Sequence, residues 1–165
     1  KNNMKNNEEH EVSIVKIQKN FDITHLLPEE AVNLAVIVNI FNNASMNVSD
    51  IHDDRFTVHG NGDLGGFTCI LKFKKIFFVK NITLESIDVN LTDNIKKNIN
   101  NANQHPHVAF YLRFQNDIPY LSVRHDLTYE NGIIANHIIS QAALFENRVY
   151  DTVVDILRSR ILKET

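Results

Sequence analysis

At 165 residues, 43% hydrophobic and 22% charged, the chain is long enough to bury a core of its own and has the balance of a soluble globular domain. A net charge of −3 gives no electrostatic reason to expect nucleic acid or an anionic membrane as partner, and no apolar run approaches the ~20 residues that cross a bilayer. Cys69 is the single cysteine, so an intramolecular disulfide is excluded and the redox compartment is left undeclared.

Lys1 to His10 is polar, lacks apolar periodicity and reads as a flexible tail, with one domain from 11 to 165. The chain begins with Lys1, which fits either a trimmed chain or a mature one whose leader was removed; a cytoplasmic location is the expectation. There are 22 asparagines, many in runs such as Asn98-Ile99-Asn100-Asn101, together with many Ile and Lys, as in an AT-rich genome. In such a composition the Asn-x-Ser/Thr triplets at Asn43, Asn47, Asn81 and Asn90 arise by chance and are not read as glycosylation sites.

Val12, Ile14, Val15 and Ile17 form a short apolar segment that fits a strand or a helix turn equally. Leu27-Pro28-Glu29-Glu30 predicts a helix start, since Pro is tolerated in the first turn and acidic residues suit the positive end of the dipole. That helix should run to about Asn43. Val32, Ala35, Val36, Asn39 and Ile40 mark one face and Leu34, Ile37, Val38 and Phe41 a second, so it is expected to be largely enclosed. A strand around Phe56–His59 and a Gly-rich turn follow. Then come strands at about Phe67–Phe73 and Ile76–Leu84, separated by Lys74-Lys75, the second of them apolar on both sides and therefore expected to be central. Leu91 to about Asn101 carries Leu91, Ile95 and Ile99 at helical spacing and ends before His105-Pro106.

From Val108 to Phe114 the residues Val108, Phe110, Leu112 and Phe114 share one face of a strand. Gln115 to Pro119 reads as a turn, and Leu121, Val123, His125 and Leu127 share a face of the next strand. Pairing Phe114 with Leu121 makes the two apolar faces coincide and sets Tyr111 opposite Arg124 on the polar face. After Asn131-Gly132, the stripe Ile134, Ile138, Ala142, Phe145, Val149, Val153 and Ile156 predicts a helix to about Leu162, roughly 40 Å long. Tyr150, Val154, Leu157 and Ile161 widen its apolar surface towards the end. Such a helix either lies diagonally across its own sheet or packs its last turns on a second chain.

Motifs that could carry chemistry are weak. Gly60-Asn61-Gly62-Asp63-Leu64-Gly65 matches G-x-G-x-x-G, but it precedes the strand-like Phe67–Leu71, whereas a dinucleotide site needs a helix there; a hairpin turn at Asn61-Gly62 is the better reading. His105-Pro106-His107 lacks a fixed third ligand, although His52-Asp53-Asp54 could join it in space. His125 and Asp126 point to opposite strand faces and make no natural dyad, so His125 is expected to be a satisfied core histidine and Cys69 inert packing. Lys72, Lys74, Lys75 and Lys80, with Phe73 between, read as a solvated hairpin rather than a nucleic-acid patch. No cofactor is called for.

Asp117-Ile118-Pro119-Tyr120-Leu121-Ser122-Val123, Asp126-Leu127 and Gly132 leading into the long helix resemble the bacterial YbjN-like family. Ile99-Asn100-Asn101-Ala102-Asn103 also looks like that family's "LN..N" helix end. The resemblance covers roughly Glu29 to Leu162 and is strongest after Leu91. The segment Glu11 to Leu27 and the Gly-rich turn depart from the pattern. The family's members are candidate sensory transduction regulators, similar in fold to type III secretion chaperones. What the likeness implies is an α+β fold, a twisted antiparallel sheet of about five strands with helices on one face, in the order α-β-β-β-α-β-β-α. It brings no catalytic residues and implies a surface for a protein partner, often through a homodimer.

The reading that follows is a noncatalytic, protein-binding regulatory or chaperone-like domain. Its contact residues would be Tyr111, Arg113, Tyr120 and Arg124 on the hairpin face, or Tyr150, Val154, Leu157 and Ile161 on the helix end, aromatic and Arg side chains being the types that anchor interfaces. An interbacterial immunity or adaptor protein is the alternative. A small metal- or ligand-binding enzyme would need polar groups, for instance His52, His59, His105 and His107, to converge in one pocket.

Overall fold

The computed structural model describes residues 26–62, 64–84 and 92–161. The tail 1–10 and the apolar segment around Val12 to Ile17 lie outside the described residues. The chain builds β1 (Leu26–Leu27), a 3-10 turn (Glu29–Ala31), α1 (Leu34–Asn43), β2 (Val48–Ser49), β3 (Arg55–Val58), β4 (Phe67–Lys72) and β5 (Lys75–Thr83). Next come α2 (Thr92–Ala102), β6 (Val108–Gln115), β7 (Ile118–Thr128), β8 (Ile133–Ile134) and α3 (Ala135–Ile161). The major elements keep the predicted order. They form a six-stranded antiparallel sheet, β2-β3-β4-β5-β7-β6, and β1 pairs with β8 as a separate ribbon. The sheet has one strand more than the expected five because the two-residue β2 adds to β3.

Both hairpins at the centre turn one residue earlier than the sequence reading places them, which shifts each cross-strand register by two. Asn116 and Asp117 carry positive φ of 51° and 63°, so Gln115 pairs with Ile118, Leu112 with Leu121 and Tyr111 with Ser122. Arg124 therefore faces Ala109, not Tyr111. Likewise Phe73 and Lys74 (φ 54° and 55°) form the β4–β5 turn, and Lys75 begins β5 opposite Lys72. A two-residue turn with φ positive at both positions follows the natural twist of the paired strands, which turns of types I and II do not. A shift of two keeps every side chain on its expected face and changes its cross-strand partner alone.

The first helix is also corrected. Pro28-Glu29-Glu30 opens a single 3-10 turn, the chain extends again through Val32, and α1 starts at Leu34. Asn33 is the reason: its side chain accepts the Val36 N–H at 3.0 Å, capping a free amide of the new first turn. The helix buries Ile37, Val38, Ile40 and Phe41 and leaves Ala35 exposed, so it is enclosed on one side and not all round. At the other end, Ile134 is an exposed residue of β8 opposite Leu26 and not the first residue of the last helix's buried stripe. Gly132 (φ 98°) is required just before it, since a Cβ there would stand 2.6 Å from the Leu27 carbonyl oxygen.

α3 buries Ile138, Ala142, Phe145, Val149, Val153 and Ile156, the remainder of the predicted stripe. Phe145 meets Phe67 and Phe78 at centroid distances of 5.5 and 6.0 Å, and Phe41 of α1 meets Phe56, Phe67 and Phe78 edge-on at 5.6 to 6.3 Å. Among the described residues α1 and α3 thus pack on one face of the sheet, the face of Phe56, Cys69, Phe78, Val123 and Phe110, and α2 joins the same core through Ile95, Ile99 and Ala102. β5 is central, between β4 and β7. Phe78 lies fully buried at the junction of these rings. Phe78→Ala should lower the free energy of unfolding by about 3–5 kcal/mol, read from a shift in the urea midpoint at unchanged slope.

Candidate protein-binding surface

Strand parity puts Tyr111, Arg113, Tyr120 and Arg124 together on the sheet face away from the helices, with Phe77, Val79, Asn81, Ser122 and Asp126. No helix among the described residues covers this face, and Tyr111 is 54% exposed. Arg124 lies over the Phe77 ring at 4.9 Å, Lys75 pairs with Asp126 at 2.9 Å, and the Ser122 hydroxyl donates to Asn81 Oδ1 at 2.7 Å. Neither Arg113 nor Arg124 has an ion-pair partner among the described residues. Arg113, Tyr120, Ser122 and Asn81 line a shallow cleft of about 350 Å³ at the hairpin end of the face.

Among the described residues the face ends at β6, an edge strand. Asn103, in the turn after α2, donates its side-chain amide to the Phe110 carbonyl at 2.9 Å and accepts the Phe110 N–H at 2.8 Å. It imitates one residue of a neighbouring strand. The contact reports the phase of the ladder: Phe110 points its backbone outwards, and by alternation so do Leu112 and Phe114. The other side of β7 agrees, because Leu84 donates to the Pro119 carbonyl, so Pro119 faces β5 and not its β6 partner Phe114.

The helix-end residues sit on the outward side of α3. Tyr150 and Leu157 are exposed, at 58% and 47%, Val154 is half-buried, and the side chain of Ile161 lies outside the described residues. Tyr150 also borders a second cleft, with Glu146, Asn147 and the β3–β4 loop.

That loop is the G-x-G-x-x-G segment. It joins two antiparallel strands, as the hairpin reading requires, and Gly62 takes a φ of 73°. It is longer than a two-residue turn and folds on itself; a Cβ on Gly65 would stand 2.4 Å from the Asn61 carbonyl oxygen. Lys80 holds it. Contrary to its reading as a solvated lysine, Lys80 shares the helix-side face of β5 with Ile76, Phe78 and Ile82, and its ammonium donates to the carbonyls of Leu64, Gly65 and Gly66. Burial lowers its pKa against the attraction of Glu146, whose own carboxyl is pushed up by burial despite Lys80. The rest of the basic cluster is dispersed as well, Lys74 to Glu29 and Lys75 to Asp126.

His125 is the satisfied core histidine the sequence predicts: it is buried, Nδ1 donates to the His107 carbonyl and Nε2 meets the Gln141 amide at 2.8 Å. Asp126 lies on the opposite face. His59 instead contacts the Ser49 hydroxyl. Cys69 is buried, and desolvation holds its thiol far above the ordinary range, so it carries little thiolate. Among the described residues no three His, Cys, Asp or Glu side chains are placed to hold a metal ion, and no helix is long and apolar enough to cross a membrane.

No protein-family model matches the chain, and no curated protein matches it. In structure it is similar to YbjN, a candidate transcription regulator from E. coli, with a TM-score of 0.64 and 12% identity over 78% of this chain and 94% of that one. It is also similar to an uncharacterized protein from Methanothermobacter thermautotrophicus, with a TM-score of 0.53 and 11% identity over 76% of this chain and 94% of that one. The chain has the YbjN fold, as the resemblance over roughly Glu29 to Leu162 implies.

Lys80 and Glu146 make stability depend on pH. A carboxyl whose folded pKa is raised contributes stability below its unfolded pKa and loses it as pH rises through the folded value. Glu146→Gln should therefore raise the Tm at pH 7, and the gain should vanish as the pH falls below the ordinary Glu range; thermal melts across pH 3.5–8 check the sign.

Proposed function

We propose that this chain is a noncatalytic regulatory or chaperone-like domain that binds another protein through the uncovered face of its sheet. The observation that carries the reading is the placement of Tyr111, Arg113, Tyr120 and Arg124 on one solvent-facing surface, with both guanidinium groups free of ion pairs among the described residues. Tyr and Arg anchor interfaces because each combines a large apolar contact with directed hydrogen bonding. The YbjN fold supports the reading as analogy of architecture, which by itself assigns no activity. An immunity or adaptor protein would use the same surface for a single partner.

Homodimer formation through the end of α3 is the second reading, favoured by the exposed Tyr150 and Leu157 beside buried Val153 and Ile156. Cytoplasmic residence completes the proposal.

Cross-linked capture from the native host with the wild-type chain and with Tyr111→Ala/Arg124→Ala tests the main reading. A specific protein should be retained by the first and lost by the second, while the Tm of the variant stays close to that of wild type. Equal retention by both chains removes the sheet face as the contact. Sedimentation equilibrium tests the second reading: a dimer should revert to monomer in Leu157→Asp, and a monomeric wild type ends it.

A further inference from the structure

We infer that the open end of the β6 edge accepts an extended, acidic segment of a partner protein as an added strand of the sheet. The inference rests on the protein-binding reading above and narrows it to a place and a chemistry. Among the described residues β6 terminates the sheet, and strand alternation turns the backbones of Phe110, Leu112 and Phe114 away from β7. Phe110 is already satisfied by the Asn103 side chain. Leu112 and Phe114 offer one N–H and one C=O each, with no partner among the described residues, where the Phe114 ring is 61% exposed. The edge is thus closed at one residue and open at the next two in its alternation.

The occupant follows from Arg113. It lies between the two open positions with its side chain on the bare sheet face, and the residue of an incoming strand opposite it would stand in a non-hydrogen-bonded pair, where side chains approach most closely. A carboxylate there would meet a guanidinium that has no ion pair among the described residues. Apolar residues on either side of it would point to the other face and cover Phe114 and Leu112. The segment recognised is therefore an apolar–acidic–apolar alternation.

The same residue argues against a second copy of this chain. Antiparallel self-pairing uses both open residues in one register, Leu112 with Phe114 of the second copy and the reverse, and that register sets Arg113 opposite Arg113. Like charges directly opposed on a ladder are destabilising. Registers on either side use one open residue per copy or require Phe110, which Asn103 occupies. Arg113 thus rejects self-pairing and favours an acidic strand, attraction and repulsion being supplied by one side chain.

The test uses the full chain and fluorescein-labelled peptides of about nine residues, long enough for one strand, alternating Val with Glu or Val with Lys. By fluorescence anisotropy the Glu peptide should bind at least about tenfold more tightly than the Lys peptide, and Arg113→Glu should reverse the order. N-methylation of the peptide amides that face β6 should abolish binding, while methylation of those on the far side should leave it intact. Amide exchange should show Phe110 slow in the free chain, and Leu112 and Phe114 slowed only when the Glu peptide is added. Equal binding of both peptides, or indifference to which amides are methylated, overturns the proposal. So does protection of Leu112 and Phe114 in the peptide-free chain, which is self-pairing if it grows with concentration and internal coverage if it does not. If the peptides fail while Tyr111→Ala/Arg124→Ala still loses a captured partner, the edge proposal falls and the sheet-face reading stands.

Discussion

The rings of Phe41, Phe56, Phe67, Phe78 and Phe145 meet between one face of the sheet and two of its helices, and this contact decides the rest of the molecule. Aromatic side chains carry the largest apolar areas in the core, so the face that presents them must be the face the helices cover. Side chains alternate along each strand, so the opposite face is settled at the same time. It receives Tyr111, Arg113, Tyr120 and Arg124, residues that tolerate water and can also leave it. The contact surface proposed above thus occupies the side of the sheet that folding does not need.

Much of this was legible in the sequence. The alternation in β6 and β7 and the stripe from Ile138 to Ile156 report side-chain period directly, and both survive as read. His125 was readable for the same reason: it falls among apolar partners on its strand face, and a buried imidazole there must find two hydrogen-bonding groups. Registers were not readable. A shift of two residues leaves every face unchanged, so hydrophobic pattern cannot tell Tyr111 opposite Arg124 from Tyr111 opposite Ser122, and the decision lies in the turn backbone. The Phe73-Lys74 turn is harder still, since neither residue type favours positive φ and nothing local announces it.

Two polar side chains mark where one-dimensional pattern stops being informative. Lys80 occupies a helix-side position of β5 that the period alone would give to an apolar residue, and it is tolerated because three loop carbonyls converge on its ammonium. Asn103 reads as one more asparagine in an Asn-rich stretch, yet it closes part of a strand edge through both halves of its amide. Each role depends on a partner distant in the chain or across a turn, so composition conceals it. The signal that could have found Asn103 is its place in Ile99–Asn103, the stretch that resembles a helix end of the YbjN-like family.

The Asn103 contact also limits how far any sheet built on this chain can grow. At one margin the outermost strand, β2, spans two residues and offers little to stack upon. At the other, β6 is stoppered by a side chain at Phe110. Among the described residues neither margin presents a full-length ladder, which makes the molecule a poor template for an endless fibril.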